Sequence, residues 1–140
     1  MKRKLWILMI LFVAVLYCQR IEGRAASVKL NEKNFPEFFF RYYIGVLYDE
    51  NEDGELSDAE RAKVTEIDVG EYSDYRATYE YPAVQTLKGI EYFPNLEILS
   101  CYSNALSKLD VSKNKKLKEL YCSSNALKRL NLRLNLKCES

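Results

Sequence analysis

The chain contains no histidine. That removes the commonest general base and the commonest transition-metal ligand. No nucleophile elbow and no phosphate-cradling glycine loop is present either. Carboxylates crowd into one short stretch only, so catalysis is not expected. Charge is also nearly absent in sum: 140 residues carry a formal net +1, which leaves no nucleic-acid footprint. The apolar run Leu5 to Cys18 holds 14 residues, short of the roughly 20 that a spanning helix needs. Cysteines are few. If Cys18 leaves with an N-terminal leader, Cys101, Cys122 and Cys138 remain, and an odd number argues against a complete disulfide framework.

The N-terminus has the layout of an export signal. Lys2, Arg3 and Lys4 precede the apolar run, and Gly23-Arg24-Ala25 and Ala25-Ala26-Ser27 offer small-x-small cleavage sites. Residues 1–25 are read as a signal peptide cut near Ala25 or Ser27. An uncleaved anchor and a lipoprotein on Cys18, after Val15-Leu16-Tyr17, are the alternatives. All three put the rest of the chain outside the cytoplasm. Beyond the leader the charge is unevenly divided. Ala26 to Pro82 holds 6 basic and 14 acidic residues, net −8, and Ala83 to Ser140 holds 10 and 5, net +5. The acidic half points to a cation site; the lysines of the other half suit solvated outer loops.

What is present is a repeat. Shifted by 21 residues, Leu96 falls on Leu117, Leu99 on Leu120, Cys101 on Cys122, Asn104 on Asn125, Leu106 on Leu127 and Leu109 on Leu130. A fixed period in the twenties marks a solenoid coil. In L-x-x-L-x-C-x-x-N-x-L, alternation sends Leu99 and Cys101 to one face of a short strand. The asparagine can turn inward and bond backbone groups at the bend. One coil cannot bury its own apolar face, so coils stack into a parallel ladder. Cys101 and Cys122 are then expected as buried free thiols in adjacent coils.

From Val64 to Asn135 the chain resembles the leucine-rich repeat family, specifically the internalin-like proteins that bacteria secrete or display. The resemblance implies an α/β fold: a curved solenoid with a short parallel ladder of about three strands. It implies binding of a protein or glycan ligand, as in adhesion or host interaction, and no catalysis. Val64 to Val69 fits the frame of the first strand. The spacing of three through Val84, Leu87, Ile90, Phe93, Leu96 and Leu99 resembles the return limb of such a coil. The stretch 70–82 is an insertion that departs from the family pattern and is expected to break the ladder. Solenoids need a cap over the open end. Phe35, Phe38, Phe39, Tyr42, Tyr43, Val46 and Leu47 recur at helical spacing and are expected to form it, with Asn34 as N-cap and Pro36 in the first turn.

Inside this cap, residues 26–63, Asp49 to Glu60 matches the calcium loop D-x-[DN]-x-[DN]-G-x5-E without a gap. Asp49, Asn51 and Asp53 supply side-chain oxygens, Gly54 the sharp turn, Glu55 a backbone carbonyl, Ser57 the ninth position and Glu60 the bidentate twelfth. Leu56, at the eighth position, ties the loop to the core. Hard oxygen ligands favour calcium, in a structural role. A second such loop, with which these loops normally pair, is missing from the sequence.

Ligand contacts are expected from two places. Tyr72, Tyr75, Arg76, Tyr79 and Tyr81 in the insertion are of the types that dominate binding hot spots. Glu97, Ser100, Glu119 and Tyr121 alternate with buried strand residues and are expected on the concave surface. Residues 64–140 form the repeat region. A closing C-terminal cap is not visible, so self-association through that edge, as a structural or truncated module, is the second functional reading.

Overall fold

A computed structural model describes residues 26–70 and 82–128, and the backbone of 137–139. The leader and the insertion tyrosines with Arg76 lie outside the described residues.

The cap begins with β1 (Val28–Lys29), followed by α1 (Phe38–Tyr48), β2 (Glu55–Leu56) and α2 (Asp58–Lys63). β1 and β2 pair antiparallel, Val28 opposite Leu56. α1 is N-capped by Glu37, whose Oε2 accepts from Phe40 N at 2.6 Å, not by Asn34. Asn34 instead donates from Nδ2 to Lys29 O within the preceding turn, where Asn31 Oδ1 holds its amide. Pro36 therefore sits before the helix, in the extended lead that Glu37 continues. The expected stripe is also corrected. Phe35, Phe39, Phe40, Tyr43 and Ile44 are buried, while Phe38, Tyr42, Val46 and Leu47 are exposed. α1 is apolar almost all round, so periodicity cannot select its inner face; packing against the first coil does.

That packing centres on Phe35, whose ring lies 5.6 Å from Tyr92, 5.9 Å from Phe40 and 6.4 Å from Phe93 between centroids. Arg61 straps the same junction, donating to Ala26 O at 2.9 Å and Tyr92 O at 3.4 Å and pairing with Asp58. Asn95 Nδ2 reaches Ala62 O at 2.7 Å.

Among the described residues the coils contribute a parallel sheet in the order β3 (Glu66–Asp68), β4 (Ile98–Ser100), β5 (Glu119–Tyr121), β6 (Lys137–Glu139). Ile67 pairs with Leu99 and Leu99 with Leu120, as the frame requires. All three are fully buried, with Cys101 beside them. The insertion does not break the ladder. β3 and β4 pair directly, and Val69 N continues the contact to Ser100 O at 2.8 Å. β6 places Cys138 opposite Leu120, 18 residues on and three short of the repeat. The residues spaced by three, Val84 to Phe93, are buried, with a single 3-10 turn at Ile90–Tyr92.

The bends are closed by asparagine. Asn104 donates to Val69 O (2.8 Å), Cys101 O (3.2 Å) and Tyr102 O (3.2 Å) and accepts from Val84 N at 2.7 Å. Asn125 repeats the pattern one coil later, with Cys101 O (2.8 Å), Cys122 O (3.1 Å), Ser123 O (3.2 Å) and Leu106 N (3.0 Å). Ser103 and Ser124 hold matching left-handed backbone at φ 52° and 53°. That conformation is costly outside glycine, and the neighbouring amide network fixes it. Asn114, also buried, donates to Ile90 O and Phe93 O across the return limbs.

The outer edge of β3 would otherwise expose unpaired backbone. Tyr48 Oη donates to Glu66 O at 2.8 Å, and Asp68 N donates to Tyr43 Oη at 3.2 Å. Burial pushes both phenols above their usual range, so they remain neutral hydrogen-bonding groups.

Candidate functional site: the acidic loop and the open sheet face

The loop from Asp49 to Glu60 is organised by its own oxygens. Asp49 Oδ1 accepts from Asp53 N at 3.2 Å and Oδ2 from Gly54 N at 2.9 Å. Asn51 Oδ1 accepts from Asp53 N at 3.1 Å, and Asp53 Oδ1 accepts from Glu55 N at 2.9 Å. Gly54 makes the expected turn at φ 77°, a region that favours glycine. Leu56 is fully buried, so the eighth position does anchor the loop. Its strand pairs with β1, and Gly54 O accepts from Leu30 N at 2.9 Å. Glu55 is held on the same flank by Lys29 Nζ at 3.7 Å and by Ser27 Oγ.

Ser57 and Glu60 form a capping box at the start of α2. Glu60 Oε2 accepts from Ser57 N and Oγ, both at 2.7 Å, and Oε1 from Glu50 N at 3.0 Å. Its side chain is buried. Burial pushes its carboxyl up, but the bonds from Ser57, Glu50 and Asn51 outweigh this and hold it below the usual glutamate range.

Among the described residues, no three His, Cys, Asp or Glu side chains are gathered closely enough to grip an ion. The chemistry of the donor set still suits calcium: every candidate ligand atom is oxygen, on a turn that glycine makes possible. A carboxylate has about four lone-pair positions, so Asp49 and Asp53 keep acceptor capacity after serving the loop amides. To serve as a ligand, Glu60 would have to release Ser57 and Glu50, to which its two carboxylate oxygens are bonded.

The second region is the sheet face turned away from the core. Alternation about Ile67, Leu99 and Leu120 sets out two rows, Glu66–Ile98–Glu119 and Asp68–Ser100–Tyr121. Tyr102 and Ser123 extend them, and together these strands floor a groove of about 490 Å³. Gly70 lies beside Tyr102 so closely that a Cβ there would run into the ring. Of the expected contact residues, Ser100, Glu119 and Tyr121 lie on this face. Tyr121 Oη donates to Glu119 Oε2 at 2.8 Å. Glu97 stands one residue ahead of β4, where Lys118 Nζ meets its carboxylate at 2.6 Å; Ile98 takes the outward slot. Glu66, Asp68, Ile98, Tyr102 and Ser123 were missed as face residues. The signal was available, because a strand frame centred on buried Ile67 turns Glu66 and Asp68 outward.

No protein-family model matches this sequence, and no curated protein matches it either. Solved structures do. The functional domain of InlJ from Listeria monocytogenes, which includes a cysteine ladder, superposes with a TM-score of 0.64 at 23% identity, over 82% of this chain and 24% of that one. An internalin of the same organism, InlF, gives 0.63 at 22% identity, over 80% of this chain and 31% of its own. This chain thus spans about a quarter to a third of these two solved structures. Cys101 and Cys122 stand at equivalent positions one coil apart and neither is in a disulfide, but only Cys101 is buried as expected; Cys122, in the outer coil, is half-buried. With the parallel register, the asparagine bends and the helical N-terminal unit, these likenesses identify the fold: the chain has the internalin type of leucine-rich repeat architecture.

Proposed function

We propose that this is an exported, non-enzymatic leucine-rich repeat protein that binds a protein or glycan at the cell surface, with a cap stabilised by calcium. The observation that carries the reading is the open sheet face. Parallel strands in strict register hold outward side chains in fixed rows over a packed core, a rigid platform of the kind on which recognition is built. Export rests on the leader pattern in residues 1–25. The test is binding of the full chain to protein and glycan arrays. Ser100→Arg, at the centre of the face, is expected to abolish binding, and Lys115→Ala, on an outer loop, to leave it intact. Binding that ignores Ser100→Arg, or no binding at all, defeats the reading.

Calcium is proposed to sit among Asp49, Asn51, Asp53, the Glu55 carbonyl, Ser57 and Glu60, as a structural ion. To reach it, Glu60 exchanges the hydrogen bonds of its capping box for coordination. Because the loop strand is paired to β1, an ion there also fastens the start of the described chain. A ligand present at 100 times its Kd adds about 2.7 kcal/mol to stability. Thermal unfolding with calcium and with a chelator should show a higher Tm with the ion in wild type and none in Glu60→Ala. Equal melting in both solutions defeats the assignment.

A second reading concerns assembly. β6 has no further strand beside it among the described residues. Strand addition from another copy at that edge would make the chain an assembly module. Concentration-dependent association, lost on placing proline at Cys138, is its signature.

A further inference from the structure

Resting on the binding reading above, we infer that the occupant of the open sheet face is an extended, lysine- or arginine-bearing segment of a partner protein. The face is acidic. Glu66 and Asp68 line the groove, Glu119 stands on the same face by strand register, and among the described residues no lysine or arginine lines the groove. The lysine at its rim, Lys118, is taken by Glu97. The strand register continues beyond β5 into the backbone of 137–139. The contrast lies on the return-limb side, where a groove of about 400 Å³ mixes Lys88, Lys108 and Lys113 with Glu91 and Asp110. Lys88, Lys108 and Lys113 thus stand away from the open face.

Covering the face strips water from its carboxylates. Burying ionised groups is costly unless each meets a positive partner. A neutral glycan offers hydroxyls but no such charge, and an acidic one adds repulsion. A cationic segment supplies the counter-charge, and Ile98 with the Tyr102 and Tyr121 rings gives an apolar floor for the lysine or arginine stems.

Geometry sets the shape of the occupant. Four strands at about 4.8 Å spacing make a face about 15 Å across. A stable interface between folded proteins needs about 800 Å² per partner, more than this face provides. A single extended segment fits it. Along β3, Glu66 and Asp68 are two residues apart, about 7 Å, the distance between side chains i and i+2 on one side of an extended peptide. Glu66 and Glu119 are two strands apart, about 10 Å. A segment laid along β3 with cations at alternate residues therefore matches Glu66 and Asp68, and Glu119 faces it from across the strands.

The probe is a fluorescein-labelled eight-residue peptide of alternating lysine and threonine. Controls replace every lysine with glutamine or with glutamate, and binding to the full chain is read by anisotropy. The lysine peptide is expected to bind at least tenfold more tightly than the glutamine peptide, and more weakly as salt rises. Combining Glu66→Gln, Asp68→Asn and Glu119→Gln, which keeps the acceptors for Gly70 N and the Tyr121 hydroxyl, should cost at least tenfold. Glu66→Gln alone changes an exposed side chain, cannot unfold the protein, and should cost about threefold. Glu91→Gln with Asp110→Asn should cost nothing. Equal binding of the lysine and glutamine peptides, no binding by any peptide, or indifference to the face variants overturns the inference. If the arrays still give a ligand sensitive to Ser100→Arg, the binding reading survives with a different chemistry. If they give none, both fall.

Discussion

Residues 26–63 and residues 64–128 satisfy their backbones by different chemistry. In the coils one residue type repeats one task. Asn104 and Asn125, 21 positions apart, each close a bend by joining three carbonyls and one amide. In the cap the tasks are divided among different kinds of group: Glu37 caps α1, Glu60 and Ser57 cap α2, Asp49 and Asp53 hold the loop amides, and two phenols pair with β3. Loss of one coil contact is therefore graded by burial. Loss of a cap contact depends on which role is removed.

The largest expected effect tests where the cap meets the coils. Phe39→Ala should destabilise by about 4 kcal/mol, as for other buried aromatics, whereas Phe38→Ala, 61% exposed, should cost under about 1 kcal/mol. Urea unfolding of both would settle which face of α1 is inside. Equal losses would break the assignment. Next comes the graded series in the coils. Asn104→Ala orphans buried backbone groups and should cost about 3 kcal/mol, while the half-buried Asn125→Ala should cost about 1 kcal/mol. Identical costs would mean that the outer coil is as tightly organised as the inner one.

Smaller still is the acid response of the cap. The folded Glu60 carboxyl ionises more readily than its unfolded counterpart. Its contribution is thus complete above the unfolded value, about 4.3, and fades as pH falls through the folded one. Stability of wild type should drop over that acidic window, and Glu60→Gln should flatten the profile there; parallel profiles would remove Glu60 from the argument. Ser57→Ala, which takes away the same box, should cost about 1 kcal/mol. Last, a reagent effect: burial pushes the Cys101 thiol up to about 12, so its alkylation, followed by peptide mapping, should run no faster than unfolding.

The coils were legible because their signal is repeated. Ile67, Leu99 and Leu120 could be aligned from sequence, and the asparagine bends followed from one residue recurring at one place. The cap was legible in outline only. The loop motif located Gly54 and Leu56 in their local roles. The aromatic run of α1 left its inner face undecided, because Phe38 and Tyr42 have the same spacing as Phe39 and Tyr43. Asn34 looked like an N-cap but was drawn to Lys29 O once β1 paired with β2, a contact between segments that no local pattern encodes. On the open face, Glu97 was misplaced by one residue. A three-residue strand gives alternation little length in which to declare its phase, and Ile98, although apolar, takes the outward position.

The phenols of Tyr43 and Tyr48 also give the solenoid a direction. They occupy the outer hydrogen-bonding groups of β3, so a strand cannot be added there without displacing them. A strand added from outside the stack, as from a neighbouring chain, is therefore steered to the far edge of the ladder. Each such strand would take its alignment from the strand before it. The stack thus has one closed end and one direction of growth, with the aromatic cap as its fixed origin.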